Sequence, residues 1–81
     1  MRYFSHIKDG ETIFDSEGQE FPDIETAKDS AIQTSAELLR GLRHREKFWT
    51  GEPWLLWVTD GPNGTGKTIF ELRFSSTLPR N

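Results

Sequence analysis

The sequence predicts an α+β domain of order ββαββ, a four-stranded antiparallel sheet with one helix packed on one face. Three observations carry this reading. Short alternating stretches surround tight-turn residues near the N-terminus. Apolar residues recur at three- and four-residue steps from Ile24 onward. Two more strand-like stretches flank a segment rich in Gly, Pro and Asn. At 81 residues the chain makes a single domain, 1–81. A domain of this size buries roughly 60–65% of its unfolded surface, which suffices for two packed layers.

The first strand is expected over residues 2–8, with Tyr3, Ser5 and Ile7 on one face and Phe4 and His6 on the other. Asp9-Gly10 is a tight-turn signal, because Asp tolerates and Gly favours positive φ. A return strand over 12–15 completes a hairpin, Asp15-Ser16-Glu17-Gly18 turns again, and Gln19-Glu20-Phe21 runs on extended. Pro22 biases Phe21 away from helical dihedrals. Asp23 is suited to cap a helix, and Glu25 faces the positive end of its dipole. The helix is expected over 24–43, with Ile24, Ala27, Ala31, Ser35, Leu38 and Leu42 on its buried stripe. Gly41 weakens its far end, where Arg40, Arg43, His44 and Arg45 suit the negative pole. Phe48 to Pro53 reads as a connecting loop. Residues 54–59 are apolar on both faces, as in an interior strand. The final strand, 68–74, points Phe70, Leu72 and Phe74 one way and Ile69, Glu71 and Arg73 the other, and residues 75–81 read as a tail. The strand order 2-1-3-4 keeps every neighbour antiparallel and is favoured, with 2-1-4-3 left open.

Gly61-Pro62-Asn63-Gly64-Thr65-Gly66-Lys67-Thr68 matches the phosphate-binding pattern G-x-x-x-x-G-K-[ST] letter for letter. That pattern works between a buried strand and a helix whose first N–H groups receive the phosphates. Here the residues after Lys67 alternate as a strand does, and they are too few for a strand–helix–strand unit of roughly 30 residues. The match is read as accidental, a glycine-rich hairpin turn with Lys67 exposed, and no NTPase activity is expected. The alternative is anion binding by stacked N–H groups of the turn.

Several short motifs follow one another along the chain. They are Arg2-Tyr3-Phe4, His6, Asp9-Gly10, Asp15, Glu17-Gly18, Glu20, Pro22-Asp23, Ala27 with Ala31, and Glu37-Leu38-Leu39. Trp54, Val58-Thr59-Asp60 and Leu72-x-Phe74 follow. In this the chain resembles a family of small bacterial proteins known only as domain-of-unknown-function family 6894. The resemblance covers most of the chain and implies no activity. It departs from the family at Ser5, where an aromatic residue is usual, and in the turn lengthened by Pro62 to Gly66.

Composition excludes several classes. No cysteine is present, so disulfides and thiolate metal sites are absent, as fits a reducing cytoplasm. No apolar run approaches the roughly 20 residues of a membrane span. The N-terminus lacks a signal peptide's long apolar stretch, and a cytoplasmic location is expected. A net charge of -3 argues against general nucleic-acid binding.

The candidate chemistry is thin. His6 lies near Asp9, Asp15 and Glu17, but no second His stands at metal-site spacing, and a hydrogen-bonded sheet histidine is the simpler reading. No motif sets a serine beside His6 or His44, so no catalytic residue, metal or cofactor is assigned, and the protein is not expected to be an enzyme. Arg40, Arg43 and Arg45, with Lys47 and Trp49, form the only basic-aromatic cluster and offer an alternative nucleic-acid or anion patch.

Apolar residues exceed what one helix and one sheet face can hide. Ile32, Ala36 and Leu39 widen the helix's apolar arc to roughly 200°, against a usual minimum near 100°. Phe4, His6, Leu55, Trp57 and Ile69 are expected on the sheet face turned from the helix. Two readings follow. In one, the loop 48–53 and the tail fold over these surfaces, with Trp49 as a plug. In the other, Phe4, Ile32, Leu39, Trp49, Trp57 and Ile69 build an interface for a second copy, a homodimer, or for another protein. A self-associating interaction module is the expected role.

Overall fold

The computed structural model describes residues 1–79, so Arg80 and Asn81 of the expected tail lie outside the described residues. Five strands, β1 (Arg2–Asp9), β2 (Glu11–Ile13), β3 (Gln19–Glu20), β4 (Trp54–Thr59) and β5 (Thr68–Phe74), form one antiparallel sheet of order β2-β1-β4-β5. β3 pairs with the start of β1, on the edge that β2 occupies further along. Omitting this two-residue strand, the arrangement is the favoured 2-1-3-4 order. Gln19-Glu20 is extended as expected and also paired, through Arg2↔Glu20 and Tyr3↔Gln19.

Between β2 and β3 the edge of β1 is completed by a side chain. Asp15 Oδ2 accepts the Ser5 N–H at 3.1 Å, and Asp15 Oδ1 accepts the N–H groups of Glu17 and Gly18, each at 3.0 Å. Expected to extend to Asp15, β2 instead stops at Ile13, because the Asp15 N–H is directed at the His6 ring and not at a backbone carbonyl. Gly18 is required at this turn. Its φ is +71°, and a Cβ there would lie 2.8 Å from the Phe4 ring and 2.9 Å from the Tyr3 carbonyl.

The helix α1 (Ile24–Arg40) starts as the sequence predicts, with Asp23 Oδ1 accepting the Thr26 N–H at 2.8 Å. It ends three residues before the expected Arg43, at a Gly41 cap whose N–H reaches the Leu38 carbonyl. Part of the segment read as loop is a short second helix, α2 (Arg45–Trp49), closed by Thr50 and Gly51.

Ala27, Ala31 and Ser35, four residues apart, are the buried face of α1, and such small side chains let a helix lie close to a sheet. They meet Tyr3, Trp54, Leu56 and Val58, with Ile7, Phe21, Leu39, Leu42, Phe48, Phe70 and Leu72 packed around them. Ile69 also packs here, although alternation places it on the opposite face. A β-bulge is the cause: Val58 pairs with Phe70 but Thr59 with Thr68, so Ile69 is the extra residue and the face it would otherwise share is lost.

Candidate functional site

The sheet face turned from α1 carries Phe4, His6, Leu55, Trp57 and Thr59. At one end it is covered, though not by the loop 48–53 and tail. Trp49 is 52% exposed and plugs nothing. The cover is the turn between β4 and β5, whose single 3-10 turn Pro62–Gly64 lies over β1, together with Phe14. The rings of His6, Phe14 and Trp57 form a triangle with centroids 5.3 to 6.1 Å apart. Phe4, only 7% exposed, is packed beneath the Gly18 turn and offers no free surface to a partner.

His6 is fully buried, and both of its ring nitrogens are engaged. Nδ1 accepts the Asp15 N–H at 3.1 Å, so the ring proton belongs on Nε2. From there it is donated to Thr59 Oγ1 at 2.8 Å, and the Thr59 hydroxyl in turn donates to the Gly61 carbonyl at 2.7 Å. With the proton there, Nε2 has no lone pair to accept the Gly64 N–H that lies 3.2 Å away. Burial holds the imidazole below its ordinary pKa, the Asp15 carboxylate pulling the other way. Burial opposes ionisation of Asp15 too, but its backbone donors from Gly18, Ser5 and Glu17, helped by His6, hold the carboxyl below its usual range. This is a neutral histidine joining three parts of the chain, with no free lone pair for a metal or a substrate proton.

The lookalike of a phosphate-binding loop is the lid of that cluster. Three of its N–H groups are engaged within the fold: Asn63 donates to the Asp15 carbonyl at 2.9 Å, Thr65 to the Pro62 carbonyl at 3.0 Å, and Lys67 to Asp60 Oδ1 at 2.7 Å. After Lys67 the chain enters β5 directly. The helix N-terminus that the pattern requires is replaced by a strand, and three of the donors that an anion on stacked N–H groups would use are already engaged.

Of the other expected interface residues, Leu39 and Ile69 pack on the core and Trp57 is half-buried in the histidine cluster. Ile32, at 59% exposure, and Trp49 are free. Further exposed apolar residues stand where the sequence predicts burial. Leu38 and Ile24 lie on the predicted buried stripe of the helix, and Phe74, 37% exposed, on the predicted core face. Phe74 stacks edge-on against Trp54, their centroids 5.7 Å apart, and so stands at the open margin of the core.

The basic cluster is gathered around the turn after α1. Arg43, Arg45 and Lys47 line, with Leu42, His44 and Glu46, an open hollow of about 360 Å3. Arg40 is exposed at the last turn of α1, and Trp49 closes α2. Acidic groups compensate part of this charge: Arg43 lies 3.9 Å from Glu11, and its N–H points at Asp9 Oδ2. A second hollow, of about 150 Å3, lies between α1 and the sheet beside Ser5, Asp15, Phe21 and Thr34. Among the described residues no cluster of three His, Asp or Glu is disposed to hold a metal, and no helix is long and apolar enough to cross a membrane.

No curated protein and no solved structure matches the chain. One family does: the model of the domain of unknown function DUF6894 matches residues 2–75, from the first residue of β1 to just past β5. The chain belongs to the DUF6894 family.

Proposed function

We propose that this domain is a protein-interaction module that associates with a second copy of itself. The observation that carries the reading is apolar surface left in solvent, which besides Met1, Ile13, Phe14 and Leu78 includes Ile24, Ile32 and Leu38 on α1, Trp49 on α2 and Phe74 at the end of β5. Such surface adds solubility cost to a lone domain and becomes favourable when a partner covers it. Trp49 and Phe74 supply aromatic anchors of the kind that dominate interface energies. The absence of cysteine fits work in a reducing cytoplasm. Sedimentation of the full chain over a dilution series tests the reading. Average mass rising with concentration supports it, and a pure monomer at high micromolar concentration removes it.

The hollow lined by Arg43, Arg45 and Lys47 favours a second reading, an anion or nucleic-acid site with Arg40 and Trp49 at its margins. Titration with labelled single-stranded DNA and RNA separates the two readings. Binding through phosphates must weaken steeply as salt rises, whereas apolar association holds or strengthens.

A further inference from the structure

The two margins of the sheet differ. On one side the margin is the three-residue β2 and the two-residue β3 with the Asp15 turn between them, and strands this short offer little edge to a partner. On the other side β5 is last in order, and among the described residues no strand pairs with its outer edge. Strand edges left open are ordinarily blunted by Pro, Lys or a bulge. From Phe70 to Phe74 there is no Pro or Lys, and the bulge at Ile69 precedes this stretch.

We propose that the outer edge of β5 pairs antiparallel with β5 of a second copy, centred on Leu72, joining two sheets into one. The inference rests on the self-association reading and adds its seam and register. Two-fold pairing about an axis perpendicular to the sheet keeps both helices on the same side. Helix-side residues must then face helix-side residues, so the allowed registers lie two residues apart.

Charge selects among them. Centred on Leu72, the pairing sets Glu71 opposite the partner's Arg73, and Arg73 opposite the partner's Glu71, with Phe70 facing the partner's Phe74. One step either way opposes Glu71 to the partner's Glu71, or Arg73 to the partner's Arg73, and like charges directly opposed destabilise a strand pair. In the single copy these two side chains lie 3.4 Å apart on one face of the strand, and among the described residues neither forms another ion pair. The sequence Phe70-Glu71-Leu72-Arg73-Phe74 is thus self-complementary when read against itself in reverse, in both charge and aromatic content. Such a seam is at the small end of specific interfaces, so dissociation in the micromolar range is expected.

A charge-reversal cycle on the full chain tests this, read by sedimentation equilibrium with circular dichroism as the check on folding. Glu71→Arg alone and Arg73→Glu alone each oppose like charges at two places in the dimer, and each is expected to weaken association about tenfold or more. The double variant, Glu71→Arg with Arg73→Glu, restores complementarity and is expected to recover association. Variants that all associate like the wild type overturn the seam while leaving self-association standing. A wild type that stays monomeric overturns both.

Discussion

Replacing Asp15 by Ala removes the acceptor that stands in for a missing stretch of strand. Its carboxylate takes N–H groups from Ser5, Glu17 and Gly18 at 3.0 to 3.1 Å. Hydrogen bonds to a charged group contribute about 1.5–3 kcal/mol each. The Glu17 donor is exposed and recovers water when the acceptor goes, so the cost falls mainly on the half-buried Ser5 and Gly18 donors. The loss should therefore be about 3–6 kcal/mol. An 81-residue domain has a total stability of about 4–12 kcal/mol, so the variant stands near the limit of folding. Asp15→Asn keeps Oδ1 for Glu17 and Gly18 but turns an NH2 donor toward the Ser5 N–H, and should lose about 1–3 kcal/mol. Urea unfolding followed by tryptophan fluorescence measures both. A loss below about 1 kcal/mol for Asp15→Ala would refute the claim that this side chain completes the edge of β1.

Three further outcomes are expected. Because the folded pKa of His6 is lowered from 6.5, the unfolded chain binds more protons, and His6 contributes stability that is fully present above that pH and declines as pH falls through it. Asp15, lowered from 3.8, contributes stability present above that value and lost as pH falls through its folded pKa. Stability against pH should show both declines, the upper one vanishing in His6→Gln. Ser35→Ala, which removes a buried hydroxyl with no partner among the described residues and improves helix propensity, should be neutral or stabilise by up to about 1 kcal/mol in the same urea assay. Ser5→Val, which adds methyl groups beside the hollow of about 150 Å3, should raise the melting temperature by a few degrees, about 0.5–1 kcal/mol.

What the sequence made legible was whatever depends on local chemistry. Asp9-Gly10, Asp23 and the three- and four-residue steps from Ile24 carry their instructions within a few residues, so the turn after β1, the cap and the start of the helix stand where expected, while the far ends of β2 and α1 fall short. The strand reading of Ile69 to Phe74 likewise removed the phosphate-loop reading of Gly61 to Thr68. What stayed hidden depends on residues meeting across the fold. Nothing near Asp15 in the sequence shows that its carboxylate serves Ser5 while its N–H serves His6. The bulge that moves Ile69 onto the core is set by pairing with Val58 and Thr59, which alternation along one strand cannot express. Trp49 as a plug failed for a related reason. The lengthened turn had already covered the His6 end of the second face, and α2 left Trp49 on the outside. The excess of apolar surface was legible, whereas its location was not: Phe4 lies inside while Phe74 is partly out.

Pairing of two copies along the open edge of β5, as proposed, would bury the amides of that edge. Amide hydrogen exchange over β5, compared between dilute and concentrated solutions, is the decisive measurement. Amides within Phe70–Phe74 are expected to exchange more slowly as concentration rises, while those of β1 and β4 do not change. Exchange over β5 that is the same at every concentration would contradict it.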